Sequence, residues 1–129
     1  MTAITARLSK KERLKNLGQI QYLFSESNKK VGKHPLLLLY TISPDYPSGV
    51  VKVLFSVSKK KFSRAVDRNR VKRLMRESYR NLPFKRLSTD KQMLLALVYT
   101  SKTIVTQEEV NKSLKSIYDV LAQRISESN

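Results

Sequence analysis

The chain has 129 residues, 40% of them hydrophobic, which suits one domain (1–129) with a buried core and argues against wholesale disorder. Twenty-six Lys and Arg against ten Asp and Glu give a net charge of +16, which points to a polyanion: nucleic acid first, an anionic membrane surface second. Cysteine is absent, which excludes disulfides and thiolate metal sites and leaves the redox compartment open. No apolar run approaches the roughly 20 residues of a membrane span, and "MTAITARLSKKERLKNLG" lacks a secretory apolar core, so the expected setting is cytoplasmic.

Residues 9–27 predict a first helix, with Leu14, Leu17, Ile20 or Gln21, and Phe24 three or four apart and Leu23 beside them. "SNKKVGKHP" reads as a basic loop ending at Pro35. "LLLLYTI" (36–42) and "VVKVLFSVS" (50–58) read as neighbouring antiparallel strands joined by "SPDYPSG". In the second, Val51, Val53, Phe55 and Val57 share one face, and Lys52, Leu54, Ser56 and Ser58 the other. "KKKFSRAVDRNRVKRLMRESYRNLP" predicts a helix with Ser63 as N-cap and Pro83 as a stop signal. "KQMLLALVYTS" (91–101) is a buried strand by length and apolarity. "TQEEVNKSLKSIYDVLAQRI" opens with Thr106 and Glu109 in capping-box spacing and carries the stripe Val110, Leu114, Ile117, Leu121, Ile125. The order α-β-β-α-β-α, with room for a short extra strand, predicts an α+β two-layer sandwich of helices on a small sheet.

Charge is concentrated. Between Lys59 and Arg86 stand twelve basic residues and two acids, Asp67 and Glu77, a net +10 of the total +16. On a helical wheel Val71, Leu74, Met75, Ser78 and Leu82 fall within an arc of about 100°, the width of a core-facing stripe. Asn69, Lys72, Arg73, Arg76 and Arg80 lie roughly opposite, flanked by Arg68 and Arg70. A merely solvated helix mixes charge signs, because like charges three or four apart repel. Arginine's planar fork suits phosphate oxygens, and Asn69 adds neutral groups for a 2′-OH or base edge. Arg68 and Arg70 are therefore expected to serve RNA, with little weight in stability.

No protein active site is expected. His34 is the single histidine and reads as a loop residue; the acids are scattered apart from Glu108 and Glu109, which suit a helix N-terminus. Tyr22, Phe24, Tyr40 and Phe55 are candidates to line a groove where single-stranded bases stack, with a core role the competing reading for Phe24 and Phe55. Phe62 fits either a wedge against the sheet or a ligand contact.

"FSVSKKKFSRAVDRNRVKRLMRESYR" resembles the signature of the bacterial ribonuclease P protein subunit: strand-end Lys60 and Lys61, then Ala65, Val66, Arg68, Asn69, Arg70, Lys72, Arg73, Arg76 and Glu77. The similarity extends more weakly over about 8–125. The resemblance implies a small subunit that joins a large catalytic RNA, ribonuclease P RNA, to remove the 5′ leader of precursor tRNA. It implies no catalytic group on this chain, with magnesium ions held by the RNA. It also implies a small mixed sheet with a left-handed βαβ crossover, like the second domain of a small-subunit ribosomal protein and against the usual right-handed rule. By resemblance Arg64, Arg68, Asn69, Arg70, Lys72, Arg73, Arg76 and Arg80 face the catalytic RNA. A cleft between the first helix and the sheet takes the leader, with Tyr22, Phe24, Tyr40, Phe55, Lys59, Lys60 and Lys61 as candidates. Membrane and small-molecule partners are not expected. The competing readings are a ribosomal or other structural RNA-binding protein, and a helix-in-groove DNA binder; flanking strands and charge along the whole helix disfavour the latter.

Overall fold

The computed structural model describes residues 13–25, 29–43, 51–87 and 92–128. Helix α1 (Leu17–Ser25) is followed by β1 (Lys30–Lys33), β2 (Leu36–Ser43), β3 (Val51–Val57), α2 (Ala65–Arg80), a short 3-10 helix (Phe84–Leu87), β4 (Gln92–Tyr99) and α3 (Gln107–Ser128). The strands form one mixed sheet in the order β1-β2-β4-β3. β2 is antiparallel to both β1 and β4, whereas β3 runs parallel to β4 with α2 in the connection.

Side-chain composition explains this order. β4 buries Met93, Leu95, Leu97 and Tyr99 on one face and Leu94 and Ala96 on the other, so it needs cover on both sides and takes an interior position. β3 carries Lys52 and Ser56 on its second face and lies at an edge. The expected pairing of 36–42 with 50–58 is thereby corrected: β4 stands between them. Most of "SPDYPSG" lies outside the described residues. The basic loop before Pro35 is corrected too, since Lys30–Lys33 pair with Leu36–Leu39 as β1.

One sheet face meets Val71, Met75 and Tyr79 of α2 and Val110, Leu114, Ile117 and Leu121 of α3, which makes the two-layer sandwich. A run of rings ties it together: Phe55 meets Tyr79 edge-on at 5.7 Å, Tyr79 stacks on Phe84 at 4.5 Å, and Phe84 meets Tyr118 edge-on at 5.0 Å. Phe62 is the wedge, buried with its ring 5.9 Å from Tyr99. The Thr106 hydroxyl accepts the Glu109 N–H at 3.2 Å, so the predicted cap of α3 forms.

The other face carries a smaller cluster in which Leu14, Ile20 and Leu23 pack on Leu39, Leu54, Leu94 and Ala96. Here the predicted first helix is corrected. Arg13 bridges Val53 in parallel, and the Leu14 N–H donates to the Val53 carbonyl at 3.0 Å, so this stretch extends the sheet edge. Asn16 Oδ1 accepts the Gln19 N–H at 3.0 Å and caps a helix that starts at Leu17. Residues 9–12 and 26–28 lie outside the described residues. The buried side of α1 is Leu23 with Ile20; Leu17 and Phe24 are 74% and 45% exposed.

Truncation should separate these positions. Leu97→Ala is expected to lower the unfolding free energy by about 2–5 kcal/mol, and Leu17→Ala by under about 0.5 kcal/mol, both read from urea unfolding followed by circular dichroism.

Candidate nucleic-acid interface

Helix α2 is held in register by both apolar and polar contacts. Val71, Met75, Ser78 and Tyr79 are its buried residues. Tyr79 is an addition to the predicted stripe, and Leu74 and Leu82 are half-buried. The buried Ser78 hydroxyl donates to Asn111 Oδ1, and Gln107 Nε2 donates to Ser78 Oγ at 2.9 Å and to the Leu74 carbonyl at 3.0 Å. A hydroxyl at the helix–helix seam is thus satisfied by α3, and the bonds fix which side of α2 faces outward.

The start of α2 differs from the expected cap. Arg64 occupies the N-cap position, with no side-chain bond. The Arg68 guanidinium instead reaches back, Nη1 donating to the carbonyls of Phe62 at 2.8 Å and Ser63 at 2.9 Å. Arg68 therefore braces the turn that launches the helix. Arg80 is ion-paired with Glu77 one turn earlier. Arg64, Asn69, Arg70, Lys72, Arg73 and Arg76 make no side-chain hydrogen bond or ion pair with any described residue.

Between α2 and the β3 edge lies a cleft of about 510 Å³, lined by Lys72, Arg76 and Arg80 from α2, Arg13 and Lys15 from the extended segment, and Leu14, Val53, Leu54 and Phe55 below. The Arg76 guanidinium is held below its ordinary value, first by burial and then by repulsion from Arg13, Arg80 and Arg73. The folded chain thus binds that proton less tightly than the unfolded chain, and below the ordinary arginine value the charge is kept at a cost. An anion in the cleft would remove it. Arg13 and Lys15 were missed in the sequence because the region read as helix; the run "KKERLK" ahead of the helix is the signal that marks them.

The leader candidates are not brought into one pocket. Tyr22 and Phe24 are exposed on α1, whereas Tyr40 is buried on the opposite, α3 side of the sheet, near Arg124. Tyr40 is corrected to a core residue whose ring is closed to base stacking. Phe55 is also core, although it borders the cleft. Lys59 and Lys60 are exposed in the turn after β3, and Lys61 Nζ donates to the Thr100 carbonyl at 2.7 Å. On the α1 side, however, Leu37, Val98 and Ser56 form a half-exposed row across the sheet, next to the covered row Leu39, Ala96, Leu54. That row leads from α1 towards the lysine turn.

An α+β sheet bearing a cationic helix over a cleft of the same sign defines a polyanion-binding module. The model of the family described as Ribonuclease P matches residues 8–122, and the chain belongs to that family. It is 38% identical over 109 residues to the ribonuclease P protein component of Chlorobaculum tepidum, covering 76% of this chain and 70% of that one. It is 45% identical over 76 residues to the ribonuclease P protein component of Porphyromonas gingivalis, covering 59% of this chain; the match spans about half of that relative, 55%. The fold is similar to the solved RNase P protein of Staphylococcus aureus, with a TM-score of 0.63 at 21% identity, covering 84% of this chain and 94% of that one.

The bracing role of Arg68 yields a contrast. Arg68→Ala is expected to cost about 1–2 kcal/mol of stability through two lost charge-assisted bonds, and Arg70→Ala under about 0.5 kcal/mol, measured by chemical denaturation without RNA.

Proposed function

We propose that the chain is the RNA-binding protein subunit of ribonuclease P, joining a large catalytic RNA and assisting endonucleolytic removal of the 5′ leader from precursor tRNA. Family membership supports this reading, and the uncompensated cations of α2 carry it. Asn69, Arg70 and Arg73 are exposed on a helix whose opposite side is fixed in the core. Their docking on phosphates would release counterions and make assembly steeply salt-dependent.

In this reading the chain supplies no nucleolytic group. His34 is the single histidine, and among the described residues no three His, Asp or Glu come together. Cleavage is assigned to the catalytic RNA, whose bound magnesium ions supply the hydrolytic chemistry. The protein's part is to neutralise phosphate repulsion and to orient the leader. The half-exposed row Leu37, Val98, Ser56, bordered by α1 with Tyr22 and Phe24, suits an unpaired strand running to Lys59 and Lys60, with each base stacked on a ring worth roughly 1–3 kcal/mol. This seats the leader beside α1.

Reconstitution with a bacterial ribonuclease P RNA tests the proposal. At low magnesium the chain should accelerate production of the mature 5′ end over RNA alone, and Arg70→Ala with Arg73→Ala should raise the magnesium needed. Absence of any stimulation, or magnesium-dependent cleavage by the chain without RNA, would refute it.

A further inference from the structure

Three lysines in a row, Lys59, Lys60 and Lys61, follow β3, and their ammonium groups are used differently. Lys59 and Lys60 are exposed and make no side-chain hydrogen bond or ion pair with any described residue. Lys61 Nζ instead donates to the Thr100 carbonyl at 2.7 Å. β3 and β4 run parallel with Val57 beside Tyr99, so both chains leave the sheet at the same end, and this bond joins the two departing segments. Its anchor is fixed. The Thr100 N–H donates to the Pro35 carbonyl at 2.7 Å, extending the pairing of β2 with β4. The loop beyond is tied to the Tyr99 hydroxyl, which accepts the Val105 N–H at 3.0 Å and donates to the Thr103 carbonyl at 2.7 Å. Within the turn, the Phe62 N–H donates to the Ser58 carbonyl at 3.0 Å and the Lys60 N–H to Ser58 Oγ at 3.1 Å. Arg68 grips the chain at the Phe62 and Ser63 carbonyls, past the lysines. Over 59–61, among the described residues, Lys61 alone ties the turn to another element.

Resting on the reading that an unpaired leader runs along the half-exposed row to Lys59 and Lys60, we infer that Lys61 is a positioning residue. Its ammonium is spent on the loop between β4 and α3, touches no leader phosphate, and holds the turn so that Lys59 and Lys60 are aimed at the leader. The placement of the anchors carries the assignment. Ser56 and Val98 are paired members of the row, and Ser58 and Thr100, which hold the turn, stand two residues beyond them. The tie is therefore made where the row ends. A turn free to move would lose backbone freedom on meeting an RNA strand, and that loss would weaken binding. A turn fixed beforehand avoids it. Nothing in the run of three lysines marks which one is held; the parallel exit of β3 and β4 brings Thr100 within reach of Lys61.

A thermodynamic cycle tests the assignment. Holoenzyme is reconstituted from the full chain and ribonuclease P RNA, and its affinity for precursor tRNA, with and without a leader, is measured across a salt series. Lys61→Met keeps an unbranched stem and removes the donor. It is expected to weaken binding of leader-bearing precursor by about two- to tenfold, the range of one net hydrogen bond, and to leave leaderless tRNA unchanged. In a chain already carrying Lys59→Ala and Lys60→Ala, the same substitution should change neither affinity nor salt slope, because Lys61 acts through those two. A full additional loss there, with the slope lower by about another 0.7, would make Lys61 a phosphate contact and overturn the proposal. Unchanged leader affinity of Lys61→Met in the otherwise intact chain would overturn it too. If Lys59→Ala with Lys60→Ala leaves leader affinity intact, the reading of the leader path falls and the inference falls with it. Lys61→Arg, which keeps a donor, should restore what Lys61→Met loses; no restoration counts against the tie. Because the chain has no cysteine, a nitroxide on Lys60→Cys reports on the turn in the free protein. Adding Lys61→Met should sharpen its spectrum to that of a mobile label at unchanged far-ultraviolet circular dichroism, and an unaltered spectrum would reject the tie.

Discussion

β4 has no polar side chain from Met93 to Ala96, and over that stretch both of its faces are closed to water. A strand of this kind cannot lie at an edge, and its burial dictates most of the surrounding architecture. β2 and β3 flank it, α2 and α3 cover one face, and α1 covers part of the other. Because β3 must reach β4 in parallel, the connection between them crosses the sheet as a helix, and that helix is the basic one. The most apolar strand thus sets the position of the most cationic element.

The free protein keeps like charges close together. Arg13, Arg80 and Arg73 each repel the Arg76 guanidinium, and Glu77 is ion-paired with Arg80. Such an arrangement gives up some stability of the isolated chain in exchange for complementarity to a polyanion. Arginine suits the role because it stays protonated even when partly dehydrated by neighbouring groups.

The elements carried by strong periodicity or apolarity were legible in the sequence. β4 and α3, including the Thr106 cap, formed where pattern and cap agreed, and the core side of α2 followed its wheel. Pairing was less legible, because the Pro- and Gly-containing connection favours a hairpin of β2 and β3, whereas burial of β4 on both faces favours its insertion between them. The first helix was overextended: Leu14 fits the apolar spacing of a helix that continues through Leu17, yet it serves as a strand-edge partner. Nor does an arginine's role follow from its position on the wheel. Arg68 lies at the margin of the stripe, and only the path of the preceding turn turns it towards the Phe62 and Ser63 carbonyls.

The Gln107–Ser78–Asn111 seam has a consequence for how variants behave. Successive residues on a helix are about 100° apart, so a small roll of α2 would swing cations out of the groove and others into it. Gln107 and Asn111 belong to α3 and do not line the cleft, yet they act as a rotational stop for α2. Variation at these two amides therefore re-aims the cations of α2 without altering any of them, and a changed cationic surface alone does not identify a contact residue.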